Sequence, residues 1–253
     1  MHIVASLGAT LLASAGLCAA STLPEPQYIF TNPVDTTAYR IPTIHESAVQ
    51  ARRILHLNGI GTLSTIFPSA KDVSALENRP SGLGNTPIGL MDYVADCEHS
   101  TGNPTILAIS IATSFKNVAA GSNISLSMRW VPPSSRPHSP ASLPRFSLSG
   151  YLEELSPAEV AAHNVPACFV KYHTDAAAWL PGNPIHESKW VRFVVTEVYW
   201  IGGFGDRAYI GWIPAEEWRN VTREEVRDCV LPGEARKSGW RDWLGLGAGE
   251  WEL

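Results

Sequence analysis

Apolar and polar residues alternate with period two in most of the ordered-looking stretches of this chain, and helical spacing occupies only short ones. Ile124, Leu126, Met128 and Trp130 interleave with Ser125, Ser127 and Arg129, which predicts a strand with one apolar and one solvated face. Phe146, Leu148 and Leu152 interleave in the same way with Ser147, Ser149 and Glu153. Gly61 to Phe67, Ile88 to Val94 and Thr105 to Ile111 are further strands, the last two joined through Gly102-Asn103-Pro104 as a hairpin. Lys189 to Trp200 is the strongest strand signal. Gly202-Gly203-Phe204-Gly205 breaks it, and Arg207 to Ile213 resumes as a strand. Helical spacing of Ala48, Ala51 and Leu55 predicts a helix from Glu46 to Leu57, stopped by Gly59. Ser156-Pro157-Ala158-Glu159 reads as a capping box that opens a second helix. Phe169, Tyr172, Ala176 and Trp179 mark a third after Pro166, and Pro214 to Trp218 a short one. Strands outnumber helices, so the expected class is mainly β with flanking helices, α+β.

The ends carry different signals. Ile3 to Ala20 is apolar and closes on Cys18-Ala19-Ala20, which predicts a signal peptide over residues 1–20. Residues 21–43 contain Pro24, Pro26, Pro33 and Pro42 and read as an extended arm. A single globular domain is expected over 44–222, with Pro68 to Thr86 and Pro132 to Pro144 as loops. Residues 223–253 form a tail containing Trp240, Trp243 and Trp251. No second apolar segment is long enough to span a bilayer.

An apolar content of 45% supports one sizeable core. The formal charge of -5, from 24 acids against 19 bases with no long basic run, disfavours nucleic acid as a partner. Two glycosylation sequons stand at Asn123-Ile124-Ser125 and Asn220-Val221-Thr222, whereas Pro104 spoils Asn103. Asn123 shares the polar parity of Ser125, Ser127 and Arg129, so a glycan there would leave the core undisturbed. Signal peptide and sequons together point to the secretory route, with release from the cell expected and delivery to a vacuole or lysosome as the alternative. Cleavage leaves Cys97, Cys168 and Cys229, enough for one disulfide in any of three pairings.

Several titratable groups merit weighing. Asp96-Cys97-Glu98-His99 gathers metal-capable side chains without a second pair at zinc-finger spacing, and is read as a polar hairpin loop. His173 with Asp175, and His186 with Glu187, lack a nucleophile motif and are read as surface or core packing. No catalytic residue and no metal ligand is predicted.

Pro87-Ile88-Gly89, Asp92 to Asp96, Gly102-Asn103-Pro104, Ile111-Ala112 and Lys116-Asn117-Val118 follow one another in a characteristic order. That order resembles the flavin-binding split β-barrels of the pyridoxamine-phosphate-oxidase-like group, and Ile201 to Gly205 resembles a second segment of it. Asn117-Val118, Leu126-Ser127-Met128 and Asn220-Val221-Thr222 are closer still to the secreted CREG-type glycoproteins, over roughly Glu46 to Thr222. The resemblance implies a homodimeric split barrel of the FMN-binding type, with FMN in a cleft at the dimer interface in those members that bind it. Here the matching edge offers Ser114, Lys116 and Asn117 as phosphate donors, one positive charge among neutral groups. Leu90 replaces a small hydroxyl, and Asp92 would repel a phosphate if it faced the cleft. The resemblance to CREG-type proteins implies no bound flavin, with FMN as the alternative. Haem ligation by a histidine near the C-terminus is disfavoured, because no histidine follows His186. The expectation is therefore a non-catalytic binding or signalling glycoprotein whose protein or glycan-receptor partner the sequence does not name. The alternative is an FMN-dependent oxidoreductase.

Overall fold

The computed structural model describes residues 40–69, 79–80, 82–133 and 139–234, all within one compact unit, Thr36–Leu253. The signal peptide, most of the arm and Trp240, Trp243 and Trp251 lie outside the described residues. The strands are β1 (Ile60–Ile66), β2 (Pro87–Glu98), β3 (Asn103–Ile109), β4 (Ile124–Arg129), β5 (Arg145–Glu154), β6 (Ser188–Ile201) and β7 (Ile210–Ile213). They are ordered β3-β2-β1-β4-β5-β6-β7, and β3 also pairs with β6. That pairing closes six antiparallel strands into a barrel and leaves β7 as an extra strand on β6, a split-barrel α+β fold. The helices among the described residues are α1 (Ile44–Leu57), α2 (Thr113–Ala119), α3 (Pro157–Ala162), α4 (Val165–Tyr172), α5 (Ala215–Asn220) and α6 (Arg223–Asp228).

Period-two alternation sorts side chains to the two faces of the barrel wall. Leu63, Leu126, Leu148, Val198 and Ile213 stand in one register row across β1, β4, β5, β6 and β7, and each is fully buried. They join Phe146, Trp200 and Trp218 in the main core, which α1 completes with Ala48, Ala51, Ile54 and Leu55. A second apolar cluster, including Ala95, Leu107, Phe169 and Trp190, lies where α4 packs on β2. A Cys97–Cys168 disulfide joins those two elements, and Cys229 is the free thiol among the described residues. Burial pushes the Cys229 thiol up to about 11.

Departures from the sequence expectations have local causes. Asp96, Cys97 and Glu98 form no polar loop: they end β2, and all three are buried. Arg192 faces Glu98 at 3.0 Å, and His56 and His99 bond Asp96, so two partners distant in sequence and one three residues away make that burial tolerable. The helical spacing of Phe169, Tyr172, Ala176 and Trp179 is split at His173. Its ring is buried, stacks on Tyr93 and donates from Nε2 to the Val94 carbonyl; a short 3-10 turn, Thr174–Ala178, follows. His186 has no such packing role and lies exposed. The strand expected from Arg207 begins only at Ile210, because the Arg207 and Ala208 amides turn back onto the Phe204 carbonyl. Beyond residue 222 the packed body continues: α6 lies against α1, and Val226 and Leu231 are in the core.

Two features of this framework are testable. Gly150 sits at a β5–β6 register shift, where a Cβ would lie 1.9 Å from the Val194 carbonyl oxygen. Gly150→Ala is expected to destabilise by about 2 kcal/mol, the scale of backbone overpacking. An unchanged denaturation midpoint would contradict this. His45 of α1 bonds Glu217 of α5 through Nδ1 and Glu225 of α6 through Nε2, both at 2.8 Å. The Glu225 bond first, and the Glu217 bond second, raise His45 above its ordinary value of 6.5. Glu225 is held at about 2, first by the Thr222 backbone amide and then by His45. The His45 contribution is therefore complete below 6.5 and lost as pH rises through its raised folded value. The Glu225 contribution is complete above 4.5 and lost as pH falls through about 2. The groups are more than one-third exposed, so solvent screening holds the clasp to about 1 kcal/mol or less. Urea midpoints should fall between pH 6 and pH 8 by more in the wild type than in His45→Gln; equal falls would contradict the clasp.

Candidate functional site

The edge expected to grip a phosphate is α2 with the strands beside it. This seven-residue helix packs on β1 and turns Phe115 and Val118 onto the main core. Successive helical residues are rotated by about 100°, so neighbours in sequence face different ways. Ser114 and Asn117, three apart, share the buried face. Asn117 Nδ2 donates to the buried Thr65 Oγ1 at 3.0 Å, a bond that fastens the helix to β1. Lys116 is exposed on the other side. The structure therefore brings Ser114 and Asn117 together against the barrel and leaves Lys116 out of their company.

Leu90 and Asp92 lie on β2 in register with Leu63 and Gly61, the parity of the barrel interior. Leu90 is partly exposed at the rim. Burial raises the Asp92 carboxyl above its ordinary range, although the Tyr93 amide donates to Oδ1. Neither residue supplies a donor to an anion.

A cavity of about 660 Å³ lies instead on the outer face of the barrel wall. One register row crosses that face: Met91, Thr62, Ser127, Ser147, Tyr199 and, beyond the cavity, Trp212. Small hydroxyl residues make the floor, and large apolar ones make the rims. Met91 is 78% exposed and Trp212 58%, the latter edge-on to Tyr199. Arg129 and Arg145 are cross-strand partners in the next row and also line the cavity. Like charges placed directly opposite repel, and among the described residues neither guanidinium has a carboxylate partner. Arg145 has only long contacts to the Ala141 and Leu143 carbonyls, at 3.5 and 3.4 Å. Sequence reasoning assigned Arg129 to the solvated strand face and gave Arg145 no part. Their pairing arises from the β4–β5 register, which residue spacing alone does not reveal.

Both sequon asparagines are exposed. Asn123 stands just before β4, about 13 Å from Ser127 at the usual strand rise, so a glycan there would flank the groove. Asn220 ends α5, and the Thr222 hydroxyl of its sequon caps α6.

Residues 42–220 match the family model described as CREG, beta-barrel. The chain belongs to the CREG family. A search of curated proteins gave no match. Among solved structures, this CREG-family chain is similar to a heme binding protein from Mycobacterium smegmatis, with TM-score 0.53 and 18% identity over 72% of this chain. It spans 62% of the length of that protein. A second solved chain gives TM-score 0.51 and 17% identity over 71% of this chain and 99% of that one. A protein of unknown function from Agrobacterium tumefaciens gives 0.46 and 19%, over 72% of this chain and 64% of its own. The first two of these likenesses show the fold.

A flavin phosphate at the α2 edge does not fit the residues that this CREG-family chain places there. The Asn117 amide is committed to Thr65, Ser114 is buried, and Lys116 is an isolated surface charge. A phosphate grip needs several donors converging on one point.

Proposed function

We propose that this protein is a secreted, N-glycosylated, homodimeric CREG-family protein that binds or signals and has no catalysis of its own. The observation that carries the reading is the Asn117–Thr65 hydrogen bond: α2 is consumed as a lid on the barrel, and its donors do not converge. The working surface is the outer-face groove. Hydroxyls, apolar rims and two adjacent unpaired guanidiniums suit a ligand with an apolar body and a carboxylate or phosphate head. A second copy laid over the exposed Met91, Tyr199 and Trp212 would roof this groove and turn it into a chamber between subunits. Exposed sequons at Asn123 and Asn220 support the glycoprotein reading, and no helix among the described residues is long and apolar enough to cross a membrane.

The groove also favours a second reading, an FMN-dependent oxidoreductase, since Arg129 and Arg145 offer a phosphate two guanidinium forks. The heme binding protein of similar fold adds haem to the cofactors worth testing. Protein purified from a secretory host should show no flavin or haem absorbance band, shift in mass on glycosidase treatment, and scatter light as a dimer at micromolar concentration. A visible cofactor band surviving gel filtration would overturn the non-catalytic reading. Retention in the cytosol without a glycan would overturn the secretory one, and a single-chain mass would overturn the dimer.

A further inference from the structure

We infer that His56, Asp96 and His99 form a binding site for one divalent transition cation, of which Zn²⁺ is the natural occupant. His56 lies in the last turn of α1, Asp96 near the end of β2, and His99 in the turn that follows. Both imidazole Nδ1 atoms lie 3.0 Å from the same oxygen, Asp96 Oδ2. One ligand atom from each of the three residues lies within 4.8 Å of the others. Donor atoms on a tetrahedral zinc, with bonds of about 2.0 to 2.1 Å, are about 3.4 Å apart. Seating an ion therefore opens the two Nδ1–Oδ2 distances by about 0.4 Å and closes the widest donor pair by up to about 1.4 Å, a movement that rotation of the two half-exposed imidazoles supplies.

The surroundings suit an ion as well as the distances do. The Asp96 side chain is 2% exposed, and its second oxygen, Oδ1, is buried without a hydrogen-bond partner. A cation bound through Oδ2 would place a positive charge beside that unpartnered oxygen. The imidazoles are 35% and 32% exposed, so an ion has a path of entry and a fourth position open to water. Each ring would bind as the neutral tautomer with its proton on Nε2, so the hydrogen that each Nδ1 gives to Asp96 Oδ2 has to leave that nitrogen as the ion enters. The main chain fixes the ring-bearing segments: Arg52 donates to the His99 carbonyl at 2.7 Å, and the Tyr172 hydroxyl donates to the His56 carbonyl at 3.0 Å. Arg52 also places a positive charge near Asp96, which sets the expected affinity below that of an all-anionic ligand set. Two histidines with a carboxylate and an open position suit Zn²⁺ or Co²⁺ and not Ca²⁺ or Mg²⁺, which take oxygen ligands.

The test uses the full folded protein, stripped with a chelator and dialysed. Titration with CoCl₂ should raise visible d–d absorption that saturates at one equivalent and is displaced by ZnCl₂. His56→Gln and His99→Gln should each weaken cobalt binding by at least about tenfold, while His186→Gln, at an exposed site away from the cluster, should bind as the wild type does. Because a misfolded variant would also lose the band, the wild-type histidine resonances are followed by NMR as ZnCl₂ is added. His56 and His99 should shift together at one equivalent. Absence of a cobalt band, a band that persists in both variants, or zinc shifts confined to other histidines would each overturn the inference, leaving the cluster as a hydrogen-bonded clamp on Asp96.

Discussion

Replacing Cys97 and Cys168 together by serine is expected to cost about 4 kcal/mol of unfolding free energy. The bond joins positions 71 apart in sequence and closes β3, β4 and β5 into one loop that starts at the end of β2. A cross-link of that span removes a large share of the unfolded chain's conformational entropy. The folded cost is smaller, because Ala95, Leu107, Phe169 and Trp190 still pack where the bridge was. Domain stabilities run from about 5 to 15 kcal/mol, so the double variant should remain folded at 25 °C with a sharply lowered denaturation midpoint. The wild type treated with reductant should match it. A loss below about 1 kcal/mol in both would contradict the disulfide or its role.

Arg52→Ala is expected to be comparably severe, at about 3 to 5 kcal/mol. Arg52 is 2% exposed and is the largest buried charged residue among the described residues. Nη1 donates to the Trp218 carbonyl at 3.0 Å, Nη2 donates to the His99 carbonyl at 2.7 Å, and the group lies 5.4 Å from the Trp218 ring centroid. Burial opposes its charge, and the nearby Asp96 supports it. Asp96 is in turn penalised by burial, yet the His56 and His99 hydrogen bonds and the Arg52 charge hold its carboxyl well below the usual range. Truncation would therefore leave one buried and one part-buried carbonyl without this partner, remove charge support from a buried carboxylate and open a cavity. Equilibrium unfolding measures the sum. A loss under about 1 kcal/mol would show that the arginine is a passenger in this network.

The strands were legible because burial with period two is a local property of the chain: Ile124 to Arg129 displays its inside and outside without reference to any partner. The end of β2 was not legible. Asp96 and Glu98 look like loop residues until α1 and β6 bring His56, Arg52 and Arg192 to them. Helix α2 was invisible for another reason, since its seven residues lack a side-chain N-cap and carry too little periodic pattern. The proposed phosphate grip treated Ser114, Lys116 and Asn117 as neighbours, and helical rotation separates what sequence adjacency joins. The groove arginines show the converse, because a β-hairpin register joins residues sixteen positions apart. His56 and His99 were similarly hidden, as no spacing rule links the last turn of one helix to a turn more than forty residues later.

The central claim is that α2 closes the barrel and does not hold a flavin. Its most direct test is a titration of FMN fluorescence with the purified protein at micromolar concentrations. The account predicts no saturable quenching, and no change on Lys116→Ala. Saturable one-to-one quenching that Lys116→Ala abolishes would contradict it.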